Sequence, residues 1–588
     1  MFTTRPELAG TTGMVASTHW LASATGMAVL ESGGNAFDAA VAAGFVLQVA
    51  EPHLNGPGGQ VPALLATGDE QRPRVLCGQG VIPAAATAQH FTELGLRLIP
   101  GSGLLPATVP GAWDAWLLLL RDYGTRSLRE VLGYAIGYAE RGVPLVQRAS
   151  SVITSVAELF TRHWPTSAEL WLSGGKPPSP GSLHRNPALV ATWRRLLSEA
   201  ERYREREEQI EAARRAWSTG FVAEAVDTFA RRAVRDDSGH DHSGLITGAD
   251  LAAWEASWED PLITDLGEWS LVKCGAWTQG PVLAQQLLLL DGFRDQLAYR
   301  DGVPDARTVH LATECTKLAY ADREAWFGDD EVPLDELLDP GYLAARRKLV
   351  ADASDELRPG APGARNPRLP EILAETRGRA PAAGSTGEPT IASRGDTVHL
   401  DVVDAAGNMI SATPSGGWLQ SSPTIAELGF CLDTRAQMCW LEQGLPNSLV
   451  PGKRPRITLS PSMALHRGRP TLAFGTPGGD QQDQWQLCFW LAHQHGGLNL
   501  QESIDAPAWH TTAVPSSFHP RGWNPRELVV ESRLGEATLA ALREYGHRVV
   551  DAGPWQLGRL SAVARDPATG ILRAAANPRG MQGYAVGR

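Results

Sequence analysis

Small and apolar residues recur at helical spacing through residues 20–50, for example at Ala36, Ala43 and Leu47. Because this period places them on one face, the pattern predicts a buried helix that packs closely through small side chains. A Gly-rich stretch at 55–59 follows the pattern and predicts a turn.

From residue 110 to 235 the apolar spacing is again mostly helical. The stretch 199–215 is highly charged with few apolar positions, which is typical of a solvated helix. We therefore expect a charged helical insert over about 185–235. Residues 262–272 then predict a strand, and residues 305–350 predict helices.

The composition changes after residue 358, where Pro, Gly, Arg and Ala dominate without a clear period. This change predicts a flexible, exposed linker over 358–396. A hairpin pattern follows at once, with a strand at 397–404, a turn at 405–408 and a returning strand at 409–413. The order of elements predicts a mixed α and β fold.

Composition and charge argue against two classes of protein, those that bind nucleic acids and those that span a membrane. The chain has 588 residues with 53 basic and 65 acidic side chains, and this acidic balance argues against a nucleic-acid partner. No apolar run reaches 18 residues, so we expect no membrane span. Six scattered Cys without a CxxC motif predict free buried thiols. The first residues do not resemble a secretion signal, so we expect a cytoplasmic protein.

Thr397 is the position with the most chemistry to offer. If the bond between Asp396 and Thr397 were cut, Thr397 would carry both a hydroxyl and a free α-amino group. Such an amine titrates near ~7.7–8.0, so it accepts the hydroxyl proton close to neutral pH. One residue then supplies nucleophile and base. The alternative is a Thr selected only for its β propensity.

Two further motifs are candidate sites. Backbone N–H groups of the turn at 475–479 (GTPGG) suit an oxyanion or a phosphate, although such a motif alone is more often a plain turn. The turn lacks the Lys of a nucleotide P-loop. His240 and His242 resemble a metal pair, but they lie in a polar stretch without a convincing third ligand. We therefore predict neither a metal nor a cofactor.

Together these motifs, in this order, resemble the gamma-glutamyltransferase (gamma-glutamyltranspeptidase) family. The matching blocks run from about residue 10 to the end of the sequence, apart from the charged insert. They are 32–43 (SGGNAFDAAVAA), 51–53 (EPH), 107–111 (ATVPG), 314–323 (ECTKLAYADR), 397–399 (TVH), 453–455 (KRP), 477–479 (PGG), 505–507 (DAP) and 577–579 (NPR).

The resemblance implies an N-terminal-nucleophile hydrolase with a four-layer αββα sandwich. Such a protein folds as one precursor and cuts itself, here into a large chain 1–396 and a small chain 397–588 that stay associated. Thr397 then attacks an amide carbonyl, and the acyl group passes to water or an amine. A dimer of this two-chain unit is left open.

The resemblance also implies roles for residues around Thr397. Gly478 and Gly479 would donate N–H groups to the oxyanion. Ser415 falls where the family has a Thr that touches the nucleophile. Thr458 takes the place of a Ser that contacts the substrate carboxylate.

Other positions depart from the family pattern. Gln79 stands where an Arg pairs with the donor α-carboxylate, and a neutral amide cannot replace that charged fork. Met438 replaces an Asp that holds the donor ammonium, Gly417 replaces an Asn and Arg435 replaces a Gln. Arg435 could instead pair with an anionic acyl group that lacks the amine, such as glutaryl.

The resulting hypothesis is a self-processing gamma-glutamyltransferase or hydrolase-like amidase that forms an acyl-enzyme on Thr397. Its expected substrate is a small γ-glutamyl, glutathione-like or related amide. One alternative is an acylase on a glutaryl or cephalosporin-type amide, and another is a biosynthetic relative that cleaves C–C bonds. A non-catalytic binding relative that never processes is the alternative from another class.

Overall fold

The computed structural model describes residues 2–70, 72–379 and 396–588. Much of the expected linker, residues 380–395, lies outside the described residues. Helices and strands alternate along the chain, so the mixed α and β fold predicted from the sequence is confirmed.

Two seven-stranded antiparallel sheets form the centre of the molecule. Sheet I contains, in spatial order, Leu8–Gly10, Leu572–Ala576, Ser561–Arg565, Arg469–Gly475, Ser462–His466, Trp269–Lys273 and Leu262–Leu266. Sheet II contains, in spatial order, Tyr584–Gly587, Gly13–Ser17, Leu400–Asp404, Met409–Ala412, Val61–Ala66, Arg74–Gly78 and Ser257–Glu259.

Smaller sheets, α-helices and short 3-10 helices make up the rest of the described secondary structure. A three-stranded sheet joins Trp509–Thr511, Glu527–Val530 and Arg548–Asp551, and two-stranded pairs join Val143–Pro144 to Leu183–His184, Val234–Arg235 to Asp241–His242, and Tyr299–Arg300 to Val303–Pro304. The α-helices are Trp20–Glu31, Ala36–Ala50, Ala88–Glu93, Ala112–Tyr123, Leu128–Arg141, Gln147–His163, Pro165–Trp171, Pro187–Ala200, Arg206–Ser218, Phe221–Ala230, Gly248–Ala252, Pro281–Asp291, Ala306–Trp326, Leu334–Leu337, Pro340–Arg347, Leu373–Thr376, Gln482–Gln494, Leu500–Asp505 and Glu536–Glu544. Across the described ranges, no helix combines the length and the apolar character that a bilayer crossing needs.

Apolar clusters show how these elements are layered. One cluster joins inner-face residues of both sheets, including Met14, Val403, Ala473 and Val563. A second packs sheet II against helices such as Ala36–Ala50. A third cluster does the same for sheet I, and its members are Leu271, Leu472, Leu283, Leu311 and Phe489 among others. Each sheet therefore has one face on its partner sheet and one face under helices.

The segment 20–50 shows both the success and the limit of the apolar pattern. It forms two helices rather than the single helix predicted, because Gly33 with φ +88° breaks the run after Glu31. The second helix, Ala36–Ala50, is buried at every position. Asn35 caps it in a box with Asp38, which satisfies N–H groups that would otherwise be buried without acceptors.

The charged insert is helical, and one of its faces belongs to the core. In the helix Arg206–Ser218, Ile210, Ala213 and Trp217 are buried. Trp217 stacks on Trp113 with ring centroids 5.4 Å apart. Apart from Arg214, which is buried in an ion pair with Asp114, the charged residues lie on the other faces, so the high charge density conceals an apolar stripe.

Candidate active site

Thr397 lies at the entrance of a central strand of sheet II. The ladder begins at Leu400, three residues later than predicted, and Thr397 itself forms an isolated bridge with Ser415. Strand Leu400–Asp404 pairs with Gly13–Ser17 on one side and Met409–Ala412 on the other. Thr397 is only 2% exposed, so its hydroxyl faces the protein interior.

Two donors hold the carbonyl oxygen of Asp396. The Ser415 hydroxyl donates to this oxygen at 2.8 Å, and the Trp418 Nε1–H donates to it at 2.8 Å. The Thr397 hydroxyl lies beside them and donates to Ser415 Oγ at 3.3 Å. The arrangement places a hydroxyl next to a carbonyl whose oxygen is already held by hydrogen-bond donors.

The Gly-rich turn at 55–59 brings these donors into place. Gln60 exchanges two backbone hydrogen bonds with Ser415, at 2.7 and 3.0 Å. A Cβ on Gly59 would lie 2.4 Å from the Ser415 carbonyl oxygen, so this close approach requires glycine. Trp418 Nε1 also donates to the Leu54 carbonyl at 2.8 Å, which fixes the indole ring.

The Asp396 carboxylate is held as firmly as its carbonyl. Its Oδ1 accepts from the Thr397 backbone N–H at 2.9 Å. Its Oδ2 forms ion pairs with Arg148 Nη2 at 2.9 Å and with Arg559 Nη2. Arg148 is the second residue of the helix Gln147–His163, and Arg559 precedes the strand Ser561–Arg565.

Two more titratable groups lie beside this ion pair. Glu51 accepts from the Thr18 hydroxyl at 2.6 Å and from the Gln582 amide, and burial raises the pKa of its carboxyl to about 7. Burial and the charges of Arg148 and Arg559 hold the pKa of His53 well below its ordinary value. Both ring nitrogens of His53 are buried and lack a hydrogen-bond partner among the residues described.

The turn after strand Arg469–Gly475 provides free backbone donors. Gly478 has φ +130° and Gly479 has φ +56°. Neither N–H donates to any residue that the structure describes. The Arg559 N–H donates to Thr476 Oγ1 at 3.0 Å, which ties this turn to the arginine that holds Asp396. Whether these two N–H groups hold an oxyanion stays a prediction.

The expected substrate-contact residues are all buried. Gln79 donates to the Gly80 carbonyl at 2.9 Å, and its Oε1 has no partner among the described atoms. Arg435 Nε and Nη2 likewise lack partners there, and its guanidinium lies 4.8 Å from the Trp418 ring centroid. Burial lowers the Arg435 pKa to about 10. The Thr458 hydroxyl is buried without a described partner.

A polar chain connects Gln79 with Arg435. The Gly80 N–H donates to Gln60 Oε1 at 2.8 Å, and Gln60 Nε2 donates to Asp433. Asp433 in turn accepts from the Arg435 N–H at 3.1 Å. No hydrogen bond within the described ranges joins Thr458 to this chain. Met438 packs in the apolar cluster between the sheets, so it offers a substrate no charge.

Sequence reasoning missed Trp418, Arg148 and Arg559. Arg148 lies 248 residues before its partner Asp396, and Arg559 lies 163 residues after it. No local spacing signals such pairs. Trp418 stands next to the altered position Gly417, and that departure from the family pattern was the one available signal.

Among the described residues, one group of three side chains of metal-ligand type lies close together, and it does not include His240 or His242. His310 Nδ1 lies 2.9 Å from His547 Nε2, with Glu314 beside them. The Lys317 ammonium pairs with Glu314, so a cation already occupies that carboxylate. The expected polar loop at His240–His242 is a short hairpin in which His242 contacts Asp236 at 2.7 Å. We assign no metal to either group.

Comparisons with known proteins extend across both sides of the Asp396–Thr397 bond. A family model described as Gamma-glutamyltranspeptidase matches residues 22–587. The oxamate amidohydrolase proenzyme of Klebsiella pneumoniae subsp. pneumoniae is 31% identical, over 98% of this chain and 98% of that protein. The solved structure of LmbA2991HD has a TM-score of 0.94 at 58% identity and covers 100% of both chains. Cephalosporin acylase from Bacillus halodurans has a TM-score of 0.81 at 25% identity, over 100% of this chain and 97% of that one.

Proposed function

Because the chain belongs to the gamma-glutamyltranspeptidase family, we propose that it is a self-cleaving amidohydrolase proenzyme with Thr397 as its nucleophile. The observation that carries the proposal is the pair of hydrogen bonds on the Asp396 carbonyl oxygen, from Ser415 and Trp418. The scissile carbonyl is already polarised in the uncut chain, with the Thr397 hydroxyl beside it.

Cleavage follows from this geometry in two steps. Thr397 Oγ1 attacks the carbonyl carbon of Asp396, and the negative oxygen that forms stays on the Ser415 and Trp418 donors. The peptide C–N bond between Asp396 and Thr397 then breaks, while the new bond from the Asp396 carbonyl carbon to Thr397 Oγ1 remains as an ester. The Thr397 hydroxyl proton passes to the departing nitrogen. Water hydrolyses the resulting ester, which leaves Thr397 with a free hydroxyl and a free α-amine.

Turnover repeats this chemistry on a substrate amide. The α-amine of Thr397 takes the hydroxyl proton, since its ordinary pKa is near ~7.7–8.0. The hydroxyl oxygen forms an acyl-enzyme, and the amine of the substrate leaves with the proton. Gly478 and Gly479 offer N–H groups without described acceptors for this second oxyanion. Water or an amine then accepts the acyl group.

The donor that we propose is a small amide whose acyl group carries a carboxylate. γ-Glutamyl amides belong to this class, and the description of the matching family favours them. The pocket argues against a strict requirement for the glutamyl head, because Gln79 is neutral and Met438 is apolar. A buried guanidinium such as that of Arg435 suits an acyl carboxylate.

The test is the intact mass of freshly purified wild-type protein beside Thr397→Ala. Cleavage before Thr397 gives fragments of roughly 42 and 21 kDa from the 63.1 kDa wild-type chain. Thr397→Ala should remain one chain and lack amidase activity. A wild-type chain that stays intact for days would favour the non-catalytic alternative, and a cut Thr397→Ala chain would place the nucleophile elsewhere.

A further inference from the structure

Two arginines and one carboxylate form a buried cluster beside the Asp396–Thr397 bond. Arg148 and Arg559 both reach Oδ2 of Asp396. The Asp396 side chain is 3% exposed, and the two arginine side chains are 15% and 9% exposed. The carboxylate in this cluster belongs to the residue whose carbonyl carbon Thr397 attacks in the proposed cleavage.

We propose that Arg148 and Arg559 form the carboxylate subsite of the acyl pocket, and that Asp396 fills this subsite until the chain is cut. The inference rests on the proposed function, because it takes Thr397 as the nucleophile. During cleavage the carbonyl carbon of Asp396 becomes esterified to Thr397 Oγ1. This ester is an acyl-enzyme on the same oxygen that a substrate would acylate, so the two arginines that hold the Asp396 carboxylate lie within reach of a short acyl chain on Thr397.

The covalent structure of aspartate sets the chemical class of this acyl group. Two carbons, Cα and Cβ, separate its carbonyl carbon from its carboxylate carbon. The monoamide of a four-carbon dicarboxylic acid, a succinyl amide, has the same spacing, and a glutaryl amide is one carbon longer. The subsite therefore takes short dicarboxylic acid monoamides.

Electrostatics favours an anion at this place after Asp396 leaves. Glu51 is then the remaining carboxyl beside the two guanidinium groups, and burial raises its pKa to about 7. A bound anion would balance the second buried positive charge, which is costly when it is uncompensated. Burial, together with the nearby Arg559 charge, already lowers the Arg148 pKa to about 10. Both ring nitrogens of His53 lack a partner among the described residues, and the charges of the two arginines help to lower the pKa of this ring.

Arg435 is the competing anion site. Its guanidinium stacks over Trp418, and its Nη1 reaches only the Met438 sulfur, at 3.8 Å. No described carboxylate forms an ion pair with it, whereas Arg148 and Arg559 already hold a carboxylate next to the reacting carbonyl. Because the Asp396 carboxylate is bound by Arg148 and Arg559, we place the subsite there and not at Arg435. An Arg435 variant provides the matched control.

The first experiment uses uncut chains and is independent of catalysis. Asp396→Gly removes a CH2–COO⁻ group, which has the size and charge of acetate. Acetate binding is measured by NMR line broadening for Thr397→Ala and for Thr397→Ala/Asp396→Gly, with acetamide as the neutral probe. We expect acetate, and not acetamide, to bind only when Asp396 is removed. Adding Arg559→Gln should lower the affinity about tenfold or more, whereas adding Arg435→Gln should not.

Three outcomes would overturn the subsite. They are equal acetate binding with and without Asp396, no acetate binding to the double variant, and loss of binding through Arg435→Gln but not through Arg559→Gln. Melting temperatures of all variants show whether each chain is folded. If the wild type never cleaves but acetate follows the expected pattern, the proposed function fails and the anion site stands.

The second experiment measures the cut enzyme. Succinyl and succinamoyl anilides differ only in a carboxylate against a neutral amide, so their kcat/KM ratio isolates the charge. Arg559→Gln and Arg148→Gln should lower this ratio about tenfold or more, mainly through a higher KM for the succinyl substrate. A ratio unchanged by both variants would assign the carboxylate to another site.

Discussion

At the scale of single residues, Trp418 contacts the carbonyl of the proposed cleavage bond, and we expect it to act in cleavage but not in turnover. Its Nε1–H is divided between the carbonyl oxygens of Leu54 and Asp396, each at 2.8 Å. Because the Asp396 carbonyl disappears as a peptide group on cleavage, this contact serves the uncut chain. The Arg435 guanidinium also lies over the face of the Trp418 indole ring.

Trp418→Phe should therefore slow self-cleavage by about 10²-fold, since it removes one oxyanion donor and keeps an aromatic ring. The measurement is the rate at which purified precursor converts to fragments, followed by intact mass. Trp440→Phe is the matched control, because Trp440 is also buried under an arginine, Arg521, and its Nε1 has no described partner. Equal rates in the two variants would remove Trp418 from the cleavage step.

The sequence could indicate the candidate nucleophile and its neighbour but not the residues that hold the bond before Thr397. Thr397 and Ser415 are recognisable because they lie in a block with a family pattern. Arg148 and Arg559 lie far apart in the sequence, one before and one after Asp396, and meet only in the folded molecule. Their role depends on burial and on one shared partner, which no local spacing records.

At the scale of elements, the turn that connects strand Arg469–Gly475 to helix Gln482–Gln494 depends on its glycines. A Cβ on Gly478 would lie 2.2 Å from the Trp485 ring, and φ +130° is unfavourable for any other residue. The sequence predicted a turn here, and its backbone geometry explains why glycine is needed. The break at Gly33 was missed because helical periodicity continues across it.

Gly478→Ala should reduce amide turnover by about tenfold or more and leave self-cleavage largely intact, because Ser415 and Trp418 serve the cleavage oxyanion. Steady-state kinetics of the cut enzyme and the cleavage rate provide the two readouts. Gly497→Ala tests positive φ alone, since Gly497 has φ +66° and no atom within 4 Å of an added Cβ. It should cost about 1–2 kcal/mol of stability without changing turnover. Equal loss of cleavage and turnover in Gly478→Ala would indicate general damage to the fold.

At the scale of the whole molecule, each central sheet contains strands from both sides of the proposed cut before Thr397. In sheet II the strands Tyr584–Gly587, Leu400–Asp404 and Met409–Ala412 lie after the cut, and Gly13–Ser17 lies between the first two of them. In sheet I, Leu572–Ala576 pairs with a strand from before the cut. Separating the parts would break strand pairs in both sheets.

We therefore expect the cut protein to remain one particle. Native mass spectrometry should report about 63 kDa, and denaturing conditions should release the two fragments. The melting temperatures of wild type and uncut Thr397→Ala should be similar, because cleavage removes one peptide bond and none of these strand pairs. Dissociation into separate folded chains under native conditions would contradict the interleaved arrangement.

The pairing of Gly13–Ser17 with Tyr584–Gly587 also has a consequence for biosynthesis. The ribosome makes Gly13–Ser17 long before it makes Tyr584–Gly587. Sheet II therefore lacks one of its strands, and Gln582 cannot reach Glu51 beside the proposed cleavage bond, until translation has passed both segments. The order of synthesis thus delays the completed surroundings of Thr397, and we expect chains that stop before Gln582 to cleave slowly.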